Sequence, residues 1–205
     1  MCDDYYIMKQ PLINKMYDLV LNKQEEYCII FDFNEETRVL DFSDKHTIGT
    51  VVIENGKERA TCSSPPKGNN LDYPYVFHSH PKHRRSYPSL EDIMKPLRHP
   101  EVNLSVIATR WGIYVIKSDE ESRTFSLKFS CLDRDTQKEI YEEKLNKYLF
   151  EIQKVEDHKG YKEKIYKNLN DYDIKFIREM LDKIREKSKL NIKFCPWKDL
   201  NKEPM

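Results

Sequence analysis

One stretch of the 205-residue chain carries side-chain types suited to hydrolytic metal chemistry: His78-Ser79-His80-Pro81, followed by Ser89-Leu90-Glu91-Asp92. Alternate residues of a strand face the same way, so His78 and His80 present two imidazoles to one side, at the end of a strand that Pro81 stops. Asp92 falls in the first turn of a helix that Ser89 opens. If the polar loop over 81–88 folds back, the Asp92 carboxylate meets the two imidazoles. Two nitrogens and one oxygen make three protein ligands, which leaves a tetrahedral Zn2+ one position open for water. An open position points to catalysis rather than scaffolding. Each piece also has an ordinary structural use, since His-x-His is common on strands and Ser-x-x-Asp is a helix cap. The two together are harder to reach by chance.

The elements that must position these residues are readable from periodicity. Ile7, Leu12, Ile13, Met16, Tyr17, Val20 and Leu21 recur at intervals near three and four, the stripe of a helix packed on one face. Residues 27–33 and 37–42 read as a strand pair around Asn34-Glu35-Glu36, and 46–54 as a further strand ending at Asn55-Gly56. The turn formers over 62–74 mark a surface loop, after which 75–80 is strand-like. Ser89 caps a helix to about Leu97, where Pro96 limits its length. Residues 103–109 and 113–117 form a hairpin about Arg110-Trp111-Gly112, and 124–129 reads as one more strand. From Asp133 onward charged residues dominate. There Tyr141, Leu145, Tyr148, Leu149, Ile152 and Val155 share one helical face, Ile177, Met180, Leu181 and Ile184 mark a last helix, and Ile192, Phe194 and Trp197 make an apolar patch. Those stripes need a surface to pack on, and the preceding domain is the expected one.

Composition narrows the functions. Lys plus Arg total 35 and Asp plus Glu total 35, so the broad basic field of a nucleic-acid or lipid-surface protein is absent, and a nucleic-acid partner is not expected. Lys82, His83, Arg84 and Arg85 read as a solvated loop. The five glycines form neither G-x-G-x-x-G nor a Walker loop. No run approaches the roughly 18–20 apolar residues that cross a bilayer, and the amino terminus lacks a signal-peptide pattern, so a cytoplasmic, soluble protein is expected. Cysteines 2, 28, 62, 131 and 195 are scattered without C-x-x-C spacing and read as reduced, mostly buried thiols. The His-x-Glu with Pro-Cys-x-x-Cys of zinc deaminases and the His-Glu-x-x-His of zincins are both absent.

His78-x-His80-Pro81 followed by Tyr87-Pro88-Ser89-Leu90-Glu91-Asp92-Ile93 resembles the JAMM signature of the MPN (JAB1/Mov34) metalloproteases, whose members include zinc-dependent deubiquitinases. The resemblance extends in outline over residues 5–130. It implies an α/β fold of MPN type, a cytidine-deaminase-like three-layer sandwich in residues 1–130, with a helical C-terminal extension over 131–205. It also implies that His78, His80 and Asp92 hold Zn2+, that Ser89 supports a tetrahedral intermediate, and that a glutamate leading into an early strand is the general base. Glu26, before Tyr27-Cys28-Ile29-Ile30, stands at that place. Glu25 competes with it, and because strand neighbours face opposite ways only one of them reaches the metal; Glu26 is preferred. Two features depart from the family pattern. A glycine usual after the glutamate is missing, and the loop from His80 to Ser89 is one residue longer, which a surface loop absorbs.

The activity so implied is that of a zinc isopeptidase that removes ubiquitin or a ubiquitin-like modifier from proteins with a metal-activated water. A non-catalytic MPN scaffold that binds partners is the alternative, and a peptidase acting on ordinary peptides a third. The C-terminal helices offer a face for a protein partner.

Overall fold

In the computed structural model the described residues are 5–54, 57–61, 74–139, 143–160 and 167–202. The chain runs β1 (Ile7–Met8), α1 (Gln10–Asn22), β2 (Tyr27–Asn34), β3 (Val39–Ile48), β4 (Thr50–Glu54), β5 (Lys57–Thr61) and β6 (Tyr75–Ser79). It continues through α2 (Leu90–Arg98), β7 (Leu104–Thr109), β8 (Gly112–Lys117), α3 (Glu120–Ser130), α4 (Arg134–Gln137), α5 (Glu143–His158), α6 (Asp171–Ser188) and β9 (Asn191–Pro196), closing on a 3-10 turn at Trp197–Leu200. Seven strands make one sheet in the order β1-β3-β2-β6-β7-β8-β9, with β4 and β5 as a separate antiparallel pair. β6 and β7 are parallel, and α2 makes the crossover between them.

The two-residue period of β7 and β8 divides their side chains between two cores. Val106, Ala108, Ile113 and Val115 pack with Leu12, Ile13, Met16 and Val20 of α1. Ile107, Tyr114 and Ile116 face the other way, against Ile93, Met94 and Leu97 of α2. Helices thus cover both faces of the sheet, an α/β architecture. β7 is buried at every position, which explains why Leu-Ser-Val-Ile-Ala-Thr lacks polar alternation.

The C-terminal third shares the second core. Leu145, Leu149 and Ile152 of α5, Ile174, Ile177, Met180, Leu181 and Ile184 of α6, and Ile192 and Phe194 of β9 join the α2 residues there. β9 adds to the sheet edge by pairing with β8. That approach requires a glycine at 112: its φ is +156°, and a Cβ there would lie 2.1 Å from the Cys195 carbonyl oxygen.

Several sequence expectations are corrected. Residues 124–129 lie in helix α3, not in a strand. The deciding signal lies upstream, where Asp119 and Ser122 cap each other: Ser122 N donates to Asp119 Oδ1 at 2.9 Å and Asp119 N donates to Ser122 Oγ at 2.7 Å. The run 46–54 is divided at Gly49 between β3 and β4. The expected patch of Ile192, Phe194 and Trp197 divides, with Ile192 and Phe194 on the α2 side of β9 and Trp197 in the α1 core, while Trp111 folds back into the core as a hairpin aromatic is expected to. Cys28 and Cys195 are each disulfide-bonded, though not to one another, since three strands separate β2 from β9; Cys131 is a free, exposed thiol, and Cys2 and Cys62 lie outside the described residues. The reading as reduced thiols fails for these two and holds for Cys131, because bridges join residues brought together by the fold, which spacing along the chain does not report. Asn55-Gly56, residues 62–73 and Tyr141 lie outside the described residues. Among the described residues, no helix is long and apolar enough to cross a membrane.

Candidate metal centre

His78 and His80 leave the carboxyl end of β6, between β2 and β7, where the chain turns away towards α2. This is the end of a parallel strand at which α/β sheets commonly place ligands. His78 is opposite Ile107 of β7, so its imidazole faces the α2 side of the sheet. Ser89 N-caps α2 in a reciprocal box: Asp92 N donates to Ser89 Oγ at 3.2 Å and Ser89 N donates to Asp92 Oδ2 at 2.6 Å. The cap that starts the helix therefore also fixes the carboxylate.

These elements bring three donor groups together, with one ligand atom of each of His78, His80 and Asp92 within 4.8 Å of the others. His78 Nε2 lies 3.2 Å from His80 Nε2 and 3.2 Å from Asp92 Oδ1, and His80 Nε2 lies 3.6 Å from Asp92 Oδ2. Ligands at about 2.0–2.1 Å from a tetrahedral ion are separated by roughly 3.3 Å, which the His78–His80 and His78–Asp92 Oδ1 separations match, while His80 stands nearest the other Asp92 oxygen. The residues present therefore fit a metal ion. The side chains are only 11%, 5% and 16% exposed for His78, His80 and Asp92.

Electrostatics favours the ligand forms. Burial lowers the His80 pKa from 6.5 to about 4, so its imidazole is neutral at pH 7. Burial works to raise the Asp92 pKa, but the charge and hydrogen bond of His78, the charge of His80 and the Ser89 contact outweigh it and hold the carboxyl well below the usual range. His80 Nδ1 lies 3.2 Å from the Arg85 carbonyl oxygen. With the proton on Nδ1 donated there, the Nε2 lone pair points into the cluster.

The register of β2 with β6 places the glutamates. Cys28 is directly opposite His78, so two residues back Glu26 comes opposite His80, on the imidazole face, while Glu25 falls on the other. Burial raises the Glu26 pKa, and His78 and Asp92 are close enough for their charges to act on it. Glu25 is exposed, and its charge acts on His83. The turn carrying Glu26 is pinned on both sides, with Gly49 N donating to the Glu26 carbonyl at 2.6 Å and Tyr27 N donating to Ser79 Oγ at 3.0 Å. His83 is not among the grouped ligands.

A second polar group, which spacing along the sequence does not single out, backs the loop 81–88. Glu156 of α5 accepts the Ser86 amide at 2.6 Å and stands 3.7 Å from Arg110 Nη2, with both of those side chains at most 2% exposed. Tyr114 Oη donates to the Ser86 carbonyl at 3.1 Å. One signal was present in the chain: Leu145, Leu149, Ile152 and Glu156 lie along a single helical stripe, so an acid occupies a core position.

No family model, curated protein or solved structure matches this chain.

Proposed function

We propose that the chain is a zinc-dependent isopeptidase of JAMM type that removes ubiquitin or a ubiquitin-like modifier from proteins. The observation that carries this reading is the convergence of His78, His80 and Asp92, with one donor atom of each within 4.8 Å of the others. Two imidazoles and one carboxylate are a donor set that zinc takes with a position left for water, and the choice of zinc over iron(II), which takes the same set, rests on the JAMM resemblance. When bound, the ion supplies Lewis acidity and lowers the pKa of water to about 7.

The chain's own residues supply the rest. Glu26 is the general base: its carboxylate takes the proton of the attacking water and returns it to the departing amine. A carboxyl raised by burial suits a group that must both accept and release a proton. Ser89 Oγ accepts the Asp92 amide and keeps its own O–H proton, which it donates to the carbonyl oxygen as negative charge grows there. The amide chemistry follows from the donor set, and the ubiquitin from the JAMM resemblance of residues 78–93.

The test joins metal analysis to a cleavage assay on a panel of di-ubiquitins. His80→Ala is expected to lose zinc and cleavage together. Glu26→Gln is expected to keep zinc and lose turnover by about 100-fold or more. Cleavage that survives chelation rejects the mechanism. Zinc bound without cleavage of any ubiquitin or peptide substrate favours a scaffold that binds partners.

A further inference from the structure

We infer that Glu156, on helix α5 of the C-terminal third, is a positioning residue of the metal centre, acting on His80 through the single peptide unit that joins Arg85 to Ser86. The inference rests on the metal-binding reading of His78, His80 and Asp92 given above.

The geometry is that of a relay. The carbonyl of the Arg85–Ser86 peptide lies 3.2 Å from His80 Nδ1, and the N–H of the same peptide donates to Glu156 Oε1 at 2.6 Å. A peptide unit is planar and stiff, so holding its N–H fixes where its C=O points. A carboxylate on the N–H also polarises the unit, which makes the carbonyl a better acceptor for the imidazole proton. A histidine ligand commonly donates its outer N–H to a carboxylate or a carbonyl, which sets tautomer and ring orientation. Here the carboxylate stands one peptide further out.

The outer end of the relay is held firmly. Arg110, from the β7–β8 turn, lies 3.7 Å from the Glu156 carboxylate, and its Nη1 donates to the Lys82 carbonyl at 3.5 Å. Tyr114 of β8 binds the next carbonyl, that of Ser86, at 3.1 Å. Three elements distant in sequence thus clamp the loop between His80 and Ser89, although none of them supplies a ligand. A loop at a protein surface is otherwise free to vary, and here its backbone carries the outer contact of a ligand. The C-terminal third is accordingly part of the centre, not an attachment to it.

The test is zinc affinity, measured on the full chain by competition with a chromogenic chelator, together with 15N NMR of the His80 ring to read its tautomer. Glu156→Leu, which removes the acceptor of the Ser86 amide, is expected to bind zinc about 10–100-fold more weakly and to lose the fixed Nδ1–H tautomer, whereas Glu156→Gln, whose amide oxygen still accepts that N–H, is expected to lose less. Leu12→Ala, which opens a cavity in the core on the other side of the sheet, is expected to lower stability and leave zinc affinity unchanged. This separates positioning from general loosening. Should Glu156→Leu fail to fold, the double variant Arg110→Met with Glu156→Met removes the buried charges as a pair, a change that cores often tolerate, and carries the same expectation. A folded Glu156→Leu or double variant that binds zinc as tightly as the wild type, with the His80 tautomer intact, overturns the inference and leaves the metal site standing. Absence of zinc binding in the wild type overturns both.

Discussion

Asp92 and Glu156 are two carboxylates on opposite sides of one short loop, and their surroundings drive them apart. Asp92 lies among imidazoles that together hold its pKa well below the ordinary range despite its burial. Glu156 lies behind the loop, where burial dominates and raises its pKa, countered only in part by the Ser86 hydrogen bonds and the Arg110 charge. The first acid is held ionised beside two rings whose nitrogens an ion can take. The second is committed to an amide and a guanidinium inside the protein. The loop between them is thereby fixed from its reacting side by a helix cap and from its inner side by an ion pair.

Breaking the inner side should cost folding and spare ligand identity. Arg110→Met leaves a buried carboxylate without its 3.7 Å guanidinium partner, and the expected loss is about 3–5 kcal/mol in chemical denaturation. An unchanged midpoint would mean that the pair contributes nothing. Breaking the reacting side should do the reverse: Asp92→Asn is expected to keep a cooperative thermal transition while zinc affinity falls by more than about 100-fold. If that variant binds zinc like the wild type, the carboxylate is only a helix cap.

The acid limb of the metal-free protein sharpens the same contrast. His80 binds its proton at about 4 when folded and near 6.5 when unfolded, so the unfolded chain holds more protons between those values and stability falls as pH drops through that window. The lowered Asp92 carboxyl adds stability above about its unfolded value of 3.8 that is lost below it. Glu156 works with the opposite sign: its raised folded pKa means that stability falls as pH rises from 4.5 through the folded value. Denaturation of the metal-free wild type from pH 7 to pH 4 should show a falling midpoint, and His80→Ala should flatten it. Because the raised Glu156 works against it, the His80 contribution is read from the difference between the two proteins, and wild-type and His80→Ala profiles that run parallel over this range contradict the burial of His80. The smallest effect expected is that of Ser89→Ala on the metal-free protein, about 1 kcal/mol from loss of the α2 cap, read as a lower melting temperature.

The reacting side was legible in the sequence because its parts are local. His78 and His80 are two apart on a strand, and Ser89 and Asp92 three apart on a helix start, so periodicity alone puts each pair on one face. The choice between Glu25 and Glu26 needed the register of β2 against β6, which the chain does not print. The inner side was not legible for a different reason. Glu156 and Ser86 are 70 residues apart, and the meeting depends on how α5 lies against the sheet. An acid on an apolar stripe was the available hint, and it does not name its partner. The run 124–129 shows the limit of short patterns, since six residues that alternate as a strand does are decided by the Asp119 cap outside them.

The account rests on one ion held by three side chains, and native mass spectrometry of the purified chain titrated with Zn2+ tests that most directly. The expected result is one zinc per wild-type chain, with none retained by His80→Ala or Asp92→Asn at the same free zinc. A wild type that takes up no ion, or an ion that both variants keep, would contradict it.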